Sequence, residues 1–260
     1  MSLTFDDDLI ACADLVRRAD RPRFQAAMAA PVPARAVLFP IYAFNVEVAR
    51  APWVTQEPMI AEMRLQWWAD ALEEIRTGGV VRRHEVVTPL AHVLDADGAG
   101  LLVDLVEARR WDIERAPFSD EAEFTGYIEA TSANLVRAAA RVLGPADNDV
   151  LVDAGFALGL ANWFRAIPAL EAAGRRPLPD GRPEAVAALA REGLRRLVRA
   201  RRRRAEVSPA AAAALLPLWE AGPVLRAAAR RPARVAGGTL DLAPVRSRLT
   251  LMLRATSGRW

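Results

Sequence analysis

Lysine is absent from these 260 residues, and all 35 basic side chains are arginine. Cysteine occurs once, at Cys12, which excludes an internal disulfide and points to a reducing compartment. The two histidines, His84 and His92, have none of the cysteine or histidine neighbours that a zinc site needs. There is no glycine-rich phosphate loop, no Gly-x-Ser-x-Gly and no Cys–His pair, which removes nucleotide-loop and nucleophile-elbow chemistry. No apolar run approaches the ~20 residues of a membrane span. The longest candidate, Val150 to Phe164, is shorter and carries Asp153. Asp6, Asp7 and Asp8 are the opposite of a secretory or transit leader.

What remains is a helical sequence. Ala, Leu, Arg and Glu recur at helical period over about 5–20, 34–50, 57–77, 99–115, 120–143, 147–167, 183–206, 210–230 and 243–255. Gly78-Gly79 and Gly144-Pro145 stop helices, and Asp120 is a good N-cap. Val80-Val81 and Glu85-Val86-Val87 are the only strand-like pieces, too short for a sheet. No linker divides the chain, so 1–260 reads as a single domain.

Charge is unevenly spread. Residues 1–130 hold 13 Arg and 22 acids; residues 131–260 hold 22 Arg and 10 acids. Eight Arg and one acid fall between Arg191 and Arg204, and Arg199, Arg201, Arg202, Arg203 and Arg204 form its densest part. Such a run is either a solvated helix face or a contact for an anionic surface, membrane headgroups among them. No aromatics interleave it and no DNA-reading motif accompanies it, so nucleic acid is not expected as a partner.

Two helical segments carry the functional signal. The first runs Tyr42-Ala43-Phe44-Asn45-Val46-Glu47-Val48-Ala49-Arg50-Ala51-Pro52-Trp53; the second runs from Leu158 through Asn162, Trp163, Arg165 and Ala166 to Leu170. Between them lie Leu65-x-Trp67-Trp68 with Leu72-Glu73, then Glu107, Arg110 and Asp112, then Tyr127 with Thr131-Ser132-Ala133. Gly174 to Pro179 follows the second segment. In this order the segments resemble the squalene/phytoene synthase family over about residues 24–255. The resemblance implies an all-α, single-domain isoprenoid-synthase-like helical bundle with a central cavity. It also implies a degenerate ligand pocket of Tyr42, Phe44, Asn45, Arg110, Tyr127, Asn162 and Arg165.

Active members of that family hold magnesium through paired Asp on the two motif helices, against a substrate diphosphate. Magnesium demands oxygen ligands, yet the corresponding positions here are Ala49, Trp53, Ala166 and Leu170. Each lost metal removes several kcal/mol of charge stabilisation, and losing ~8 kcal/mol slows a step ~10⁶-fold. Arg165-Ala166-Ile167-Pro168 and Asn45 to Arg50 are similar to a non-catalytic branch of the family, which includes a mitochondrial assembly factor for respiratory complex I and α-proteobacterial relatives.

The resemblance therefore implies a pseudoenzyme without metal or other cofactor, cytoplasmic or peripheral on the inner membrane. Its partners would be a protein client such as a respiratory-complex subunit, an anionic membrane surface, or a residual isoprenoid or lipid. The alternative is an active prenyl transferase making a C30 or C40 precursor, which would need magnesium through substituted ligands. A third reading is a helical protein that binds anionic lipid without using the pocket.

Overall fold

The computed structural model describes residues 6–55, 57–114 and 116–260. Fourteen α-helices are built from the described residues: α1 Asp7–Ala19, α2 Arg21–Ala29, α3 Val32–Arg50, α4 Pro58–Thr77, α5 Val87–Val93, α6 Ala96–Ala108, α7 Trp111–Glu114, α8 Glu121–Ile128, α9 Asn134–Leu143, α10 Asn148–Ala172, α11 Pro183–Arg202, α12 Ala221–Arg230, α13 Ala233–Ala236 and α14 Pro244–Ser257. Among these residues there is no strand, only an isolated bridge between Ala146 and Val207. The bundle is all-α, as the family resemblance implies.

Helix ends follow local chemistry. The carboxylates of Asp6, Asp20, Asp95, Asp120 and Asp147 each accept from backbone N–H groups of the helix they begin. Gly78 ends α4 in the left-handed region, at φ 67°, where a side chain would be strained. The stretch expected at 120–143 is continuous but not uniform, because a π-turn over Glu129–Ala133 separates α8 from α9. The stretch at 210–230 divides into a 3₁₀ segment, Ala211–Trp219, and α12. The start of the first expected helix, at residue 5, and the end of the fourth, at residue 115, lie outside the described residues.

The two motif helices form the middle of the molecule. α3 and α10 are buried on nearly every face, so neither shows a one-sided apolar stripe. By length and composition both could cross a membrane, α10 being longer than its apolar run suggested. Here they are wrapped by other helices. α10 packs on α9, α11 and α12, and α3 on α1, α2 and α9. Phe39, Phe44, Phe124, Phe156 and Phe164 are wholly enclosed in a continuous core. Burying each such side chain contributes about 1.5–3 kcal/mol.

One crossing sets the spacing of the middle. Gly155 and Gly159 of α10 lie directly against the π-turn. A Cβ on Gly155 would meet the Ala133 Cα at 2.4 Å, and one on Gly159 the Ser132 Cβ at 2.5 Å. The Ser132 hydroxyl donates to the Gly155 carbonyl at 2.8 Å, which locks the two backbones together.

Candidate functional site

A cavity of about 470 Å³ opens between the two motif helices. α3 and the turn after it contribute Asn45, Val46, Ala49, Arg50 and Trp53; α10 contributes Gly159, Asn162, Trp163, Ala166 and Leu170. The remaining wall comes from the α1–α2 junction and from Arg109, Asp112, Tyr127 and the π-turn. All four positions where the family resemblance places metal-binding Asp therefore face one space. They present two methyl groups, an indole and an isobutyl group.

Two carboxylates line this cavity, Asp20 and Asp112. Asp20 caps α2 and pairs with Arg23. Asp112, 2 % exposed, accepts from the Tyr127 hydroxyl at 2.9 Å and pairs with Arg109 at 3.1 Å. The Arg109 guanidinium donates to Tyr127 as well, at 2.8 Å. Burial disfavours the Arg109 charge, but Tyr127 and Asp112 outweigh it and hold its pKa above the usual arginine value. Tyr127 is driven well above the ordinary phenol range, mainly by burial. Both acids are thus committed to arginines and lie on different walls. Among the described residues no three of His, Cys, Asp or Glu converge. These residues do not fit a magnesium–diphosphate centre.

Aromatic rings build the cavity's other wall. Trp163 packs edge-on against Phe118, Phe124 and Tyr127, Trp111 stacks on Phe118 at 3.9 Å, and the Trp163 indole donates to the Pro177 carbonyl at 2.8 Å. Trp53 lies under the Arg175 guanidinium, 5.1 Å from its ring centre. The result is a chamber with a mainly apolar lining, in which the Arg109–Tyr127–Asp112 cluster and the Asp20–Arg23 pair are the charged parts that neutralise each other.

The sequence-derived pocket list divides here. Asn45, Tyr127 and Asn162 line the cavity. Tyr42 and Phe44 do not: Tyr42 lies under Arg23, and Phe44 turns toward Trp68 on α4. Arg110 is outside, held by Glu62 and Glu107 and donating to Gln66 at 2.9 Å. Its neighbour Arg109 takes the inward place because the chain turns between α6 and α7. Spacing does not separate the two, since Arg109 and Asp112 are three apart, as are Glu107 and Arg110. Arg165 leaves the cavity too, pairing with Glu220 at 2.8 Å and Asp241 at 3.2 Å.

The arginine run on α11 is largely met by carboxylates of the bundle. Arg199 pairs with Asp153, and Arg203 with Asp147 at 3.0 Å and Glu206 at 2.7 Å; Arg196 pairs with Glu129 and Glu192. Arg201 turns inward and donates to the Trp260 carbonyl oxygen at 2.9 Å. Arg204 is half-buried; of the dense part Arg199 and Arg202 are exposed, and Arg199 is already paired with Asp153. As an anionic-surface contact, the run offers far fewer free guanidinium groups than its composition suggests.

Residues 16–258 match the family model for squalene/phytoene synthase. A human protein named NADH dehydrogenase (ubiquinone) complex I, assembly factor 6 is 24% identical over 172 residues, covering 60% of this chain and 48% of its own. The Drosophila melanogaster homolog is 31% identical over 181 residues, covering 65% and 52%. The chain thus spans about half the length of these curated relatives. Among solved structures, a ligand-bound dehydrosqualene synthase superimposes with a TM-score of 0.76 at 14% identity, over 96% of this chain and 95% of that one. A squalene synthase from Alicyclobacillus acidocaldarius gives 0.69 at 17% identity, over 87% and 94%. At such identities these likenesses establish the fold alone.

Proposed function

The chain belongs to the squalene/phytoene synthase family, and from that premise we propose that it is a non-catalytic member acting as an assembly factor for a respiratory complex. One observation carries the reading: a cavity lies between the two motif helices, and Ala49, Trp53, Ala166 and Leu170 line it where the resemblance would place metal ligands. The relatives named as assembly factors for NADH dehydrogenase complex I support the same reading, in which the client is a subunit or assembly intermediate of such a complex. The apolar chamber would hold an isoprenoid or other lipid tail as a structural ligand. The reading includes a peripheral position at the cytoplasmic face of an inner membrane.

The test is affinity capture of the tagged full chain from detergent extracts of its native membranes. NADH dehydrogenase subunits should be enriched over a tag-only control, and deletion of the protein should lower NADH–ubiquinone reductase activity. Turnover of farnesyl or geranylgeranyl diphosphate by the purified chain with magnesium would sink this reading and favour the prenyl transferase.

A further inference from the structure

The helix closest to the carboxyl end has two unlike faces. Inward, Ser247 and Leu251 are buried. The Ser247 hydroxyl donates to Glu220 and accepts from the Trp219 indole at 3.0 Å, so α14 is pinned to the 3₁₀ segment before α12. Outward, Val245, Leu249, Met252 and Leu253 are 71%, 55%, 63% and 69% exposed. Their i, i+4, i+7, i+8 spacing makes one continuous stripe along the helix. Arg246 and Arg248 lie on its two sides at 100° per residue.

Polar groups near the stripe are already satisfied within the helix. Thr256, the one hydroxyl on the stripe, donates to the Met252 carbonyl at 2.9 Å, and Thr250 donates to that of Arg246 at 2.8 Å. A hydroxyl turned back on its own helix costs little when the helix enters an apolar phase.

The charge around α14 is mostly positive, its nearby acids Glu220 and Asp241 both being paired with Arg165. From residue 226 to 260 the chain has eight Arg and a single acid, Asp241, which is engaged by Arg165. Among the described residues no Asp or Glu carboxylate lies within 4 Å of Arg226, Arg246, Arg248, Arg254 or Arg259. Arg201 and Arg226 both lie over Gly222, their terminal nitrogens 3.5 and 3.3 Å from where its Cβ would be. Arg201 and Arg254 share the Trp260 carbonyl oxygen, at 2.9 and 3.5 Å. Burial, then Arg254, Arg204 and Arg226, push the Arg201 pKa down to about 10. The surplus positive charge of the molecule is therefore here, not on the paired face of α11.

We propose that the outer face of α14 is a membrane-docking surface that lies in the interface of an anionic phospholipid bilayer. Its apolar stripe enters the acyl boundary while Arg246 and Arg248 reach back to phosphate groups, and the arginines at its end add attraction. Charge complementarity selects this occupant. A second copy docked face to face would bring Arg246 and Arg248 against themselves. The inference rests on the peripheral placement proposed above and not on the identity of the client.

The test is co-sedimentation of the full chain with vesicles of phosphatidylglycerol and phosphatidylcholine, and with phosphatidylcholine alone. The natural chain should bind the anionic vesicles at low salt and largely leave them in 0.5 M salt, where screening is strong. Arg246→Gln with Arg248→Gln should weaken binding about 30-fold. Leu249→Glu with Met252→Glu should weaken it at least about tenfold. The same pair of changes at Met59 and Met63, exposed on α4, should have little effect. Circular dichroism checks the fold, since every altered residue is exposed or partly so.

Equal binding to neutral vesicles, unchanged binding of the Leu249/Met252 variant, or equal loss in the Met59/Met63 control would overturn the proposal. So would a natural chain that ignores vesicles, whether it then dimerises through α14 or stays monomeric. Client capture from detergent extract reads the assembly function without a bilayer, so the two ideas fail separately.

Discussion

Tyr127 stands between Asp112 and Arg109, donating to one carboxylate oxygen at 2.9 Å and accepting from the guanidinium at 2.8 Å. The three groups neutralise each other in the polar corner of the cavity. Removing one partner strands the other's charge away from water, which costs about 3–5 kcal/mol. Asp112→Ala should therefore lower stability by that amount in urea unfolding. Asp112→Leu combined with Arg109→Met should cost less than Asp112→Ala alone. If the double variant is the weaker, the corner contributes more than charge balance.

The crossing of α10 and the π-turn leaves no volume for a methyl group. Gly155→Ala should destabilise more than Gly159→Ala, because its Cβ meets backbone at Ala133 while that of Gly159 meets the Ser132 side chain. Overpacking of this kind costs about 1–3 kcal/mol. Ser132→Gly should relieve Gly159→Ala in part, since Ile128 Cγ2 also lies 2.8 Å from the new Cβ, but not Gly155→Ala. Thermal melts of the four variants read this directly.

Carboxylates introduced at Ala49, Ala166 and Leu170 would point into one cavity. The triple Asp variant should bind magnesium more tightly than the natural chain in calorimetric titration, before any consumption of farnesyl diphosphate appears. No gain in magnesium affinity would mean that these walls are too far apart to share an ion.

Alkaline pH should unfold the chain earlier than neutral pH. Cys12 is wholly buried, and its thiol, donating to the Glu85 carbonyl, is pushed up to about 12 by burial first and then by Glu85, Asp8 and Asp6. Tyr42 and Tyr127 are raised as well, chiefly by burial. In each case the folded state holds the proton more tightly than the unfolded chain. The stabilisation is complete below the unfolded pKa, near 9 for the thiol, and is lost as pH climbs toward the folded value. For Cys12 the loss at pH 10.5 is about 2 kcal/mol. Cys12→Ala should flatten the urea midpoint against pH between 9 and 10.5. In the native chain the thiol should resist Ellman's reagent at pH 8 and react once unfolded.

Helices with a clear amphipathic stripe or a strong cap were legible in the sequence, α1, α4 and α11 among them. α2 was not, because its alanines face the core without forming a stripe. α5 carries β-branched residues and Pro89 and reads as a strand fragment, but packing against α3 makes it helical. In the cavity, Asn45, Asn162 and the four positions where the resemblance places metal ligands were legible only through that resemblance, whose motif order puts them on α3, the turn after it and α10. The motif points to Arg110 rather than Arg109 because it fixes residue types but not the turn between α6 and α7. The pairing of α11's arginines was invisible, since Asp147, Asp153 and Glu129 reach them only through tertiary packing.

Trp53 is more than a missing acid. Its ring now carries the Arg175 guanidinium, which in turn donates to the Asp112 backbone carbonyl at the edge of the polar corner. An aspartate returned to position 53 would lie beside that cation, so its charge would be shared between Arg175 and any metal. The route back to an ion-binding chamber therefore passes through a second change at Arg175, and that change would disturb the corner it supports. Position 53 is thereby tied to the polar corner, like a gate whose hinge is part of the wall.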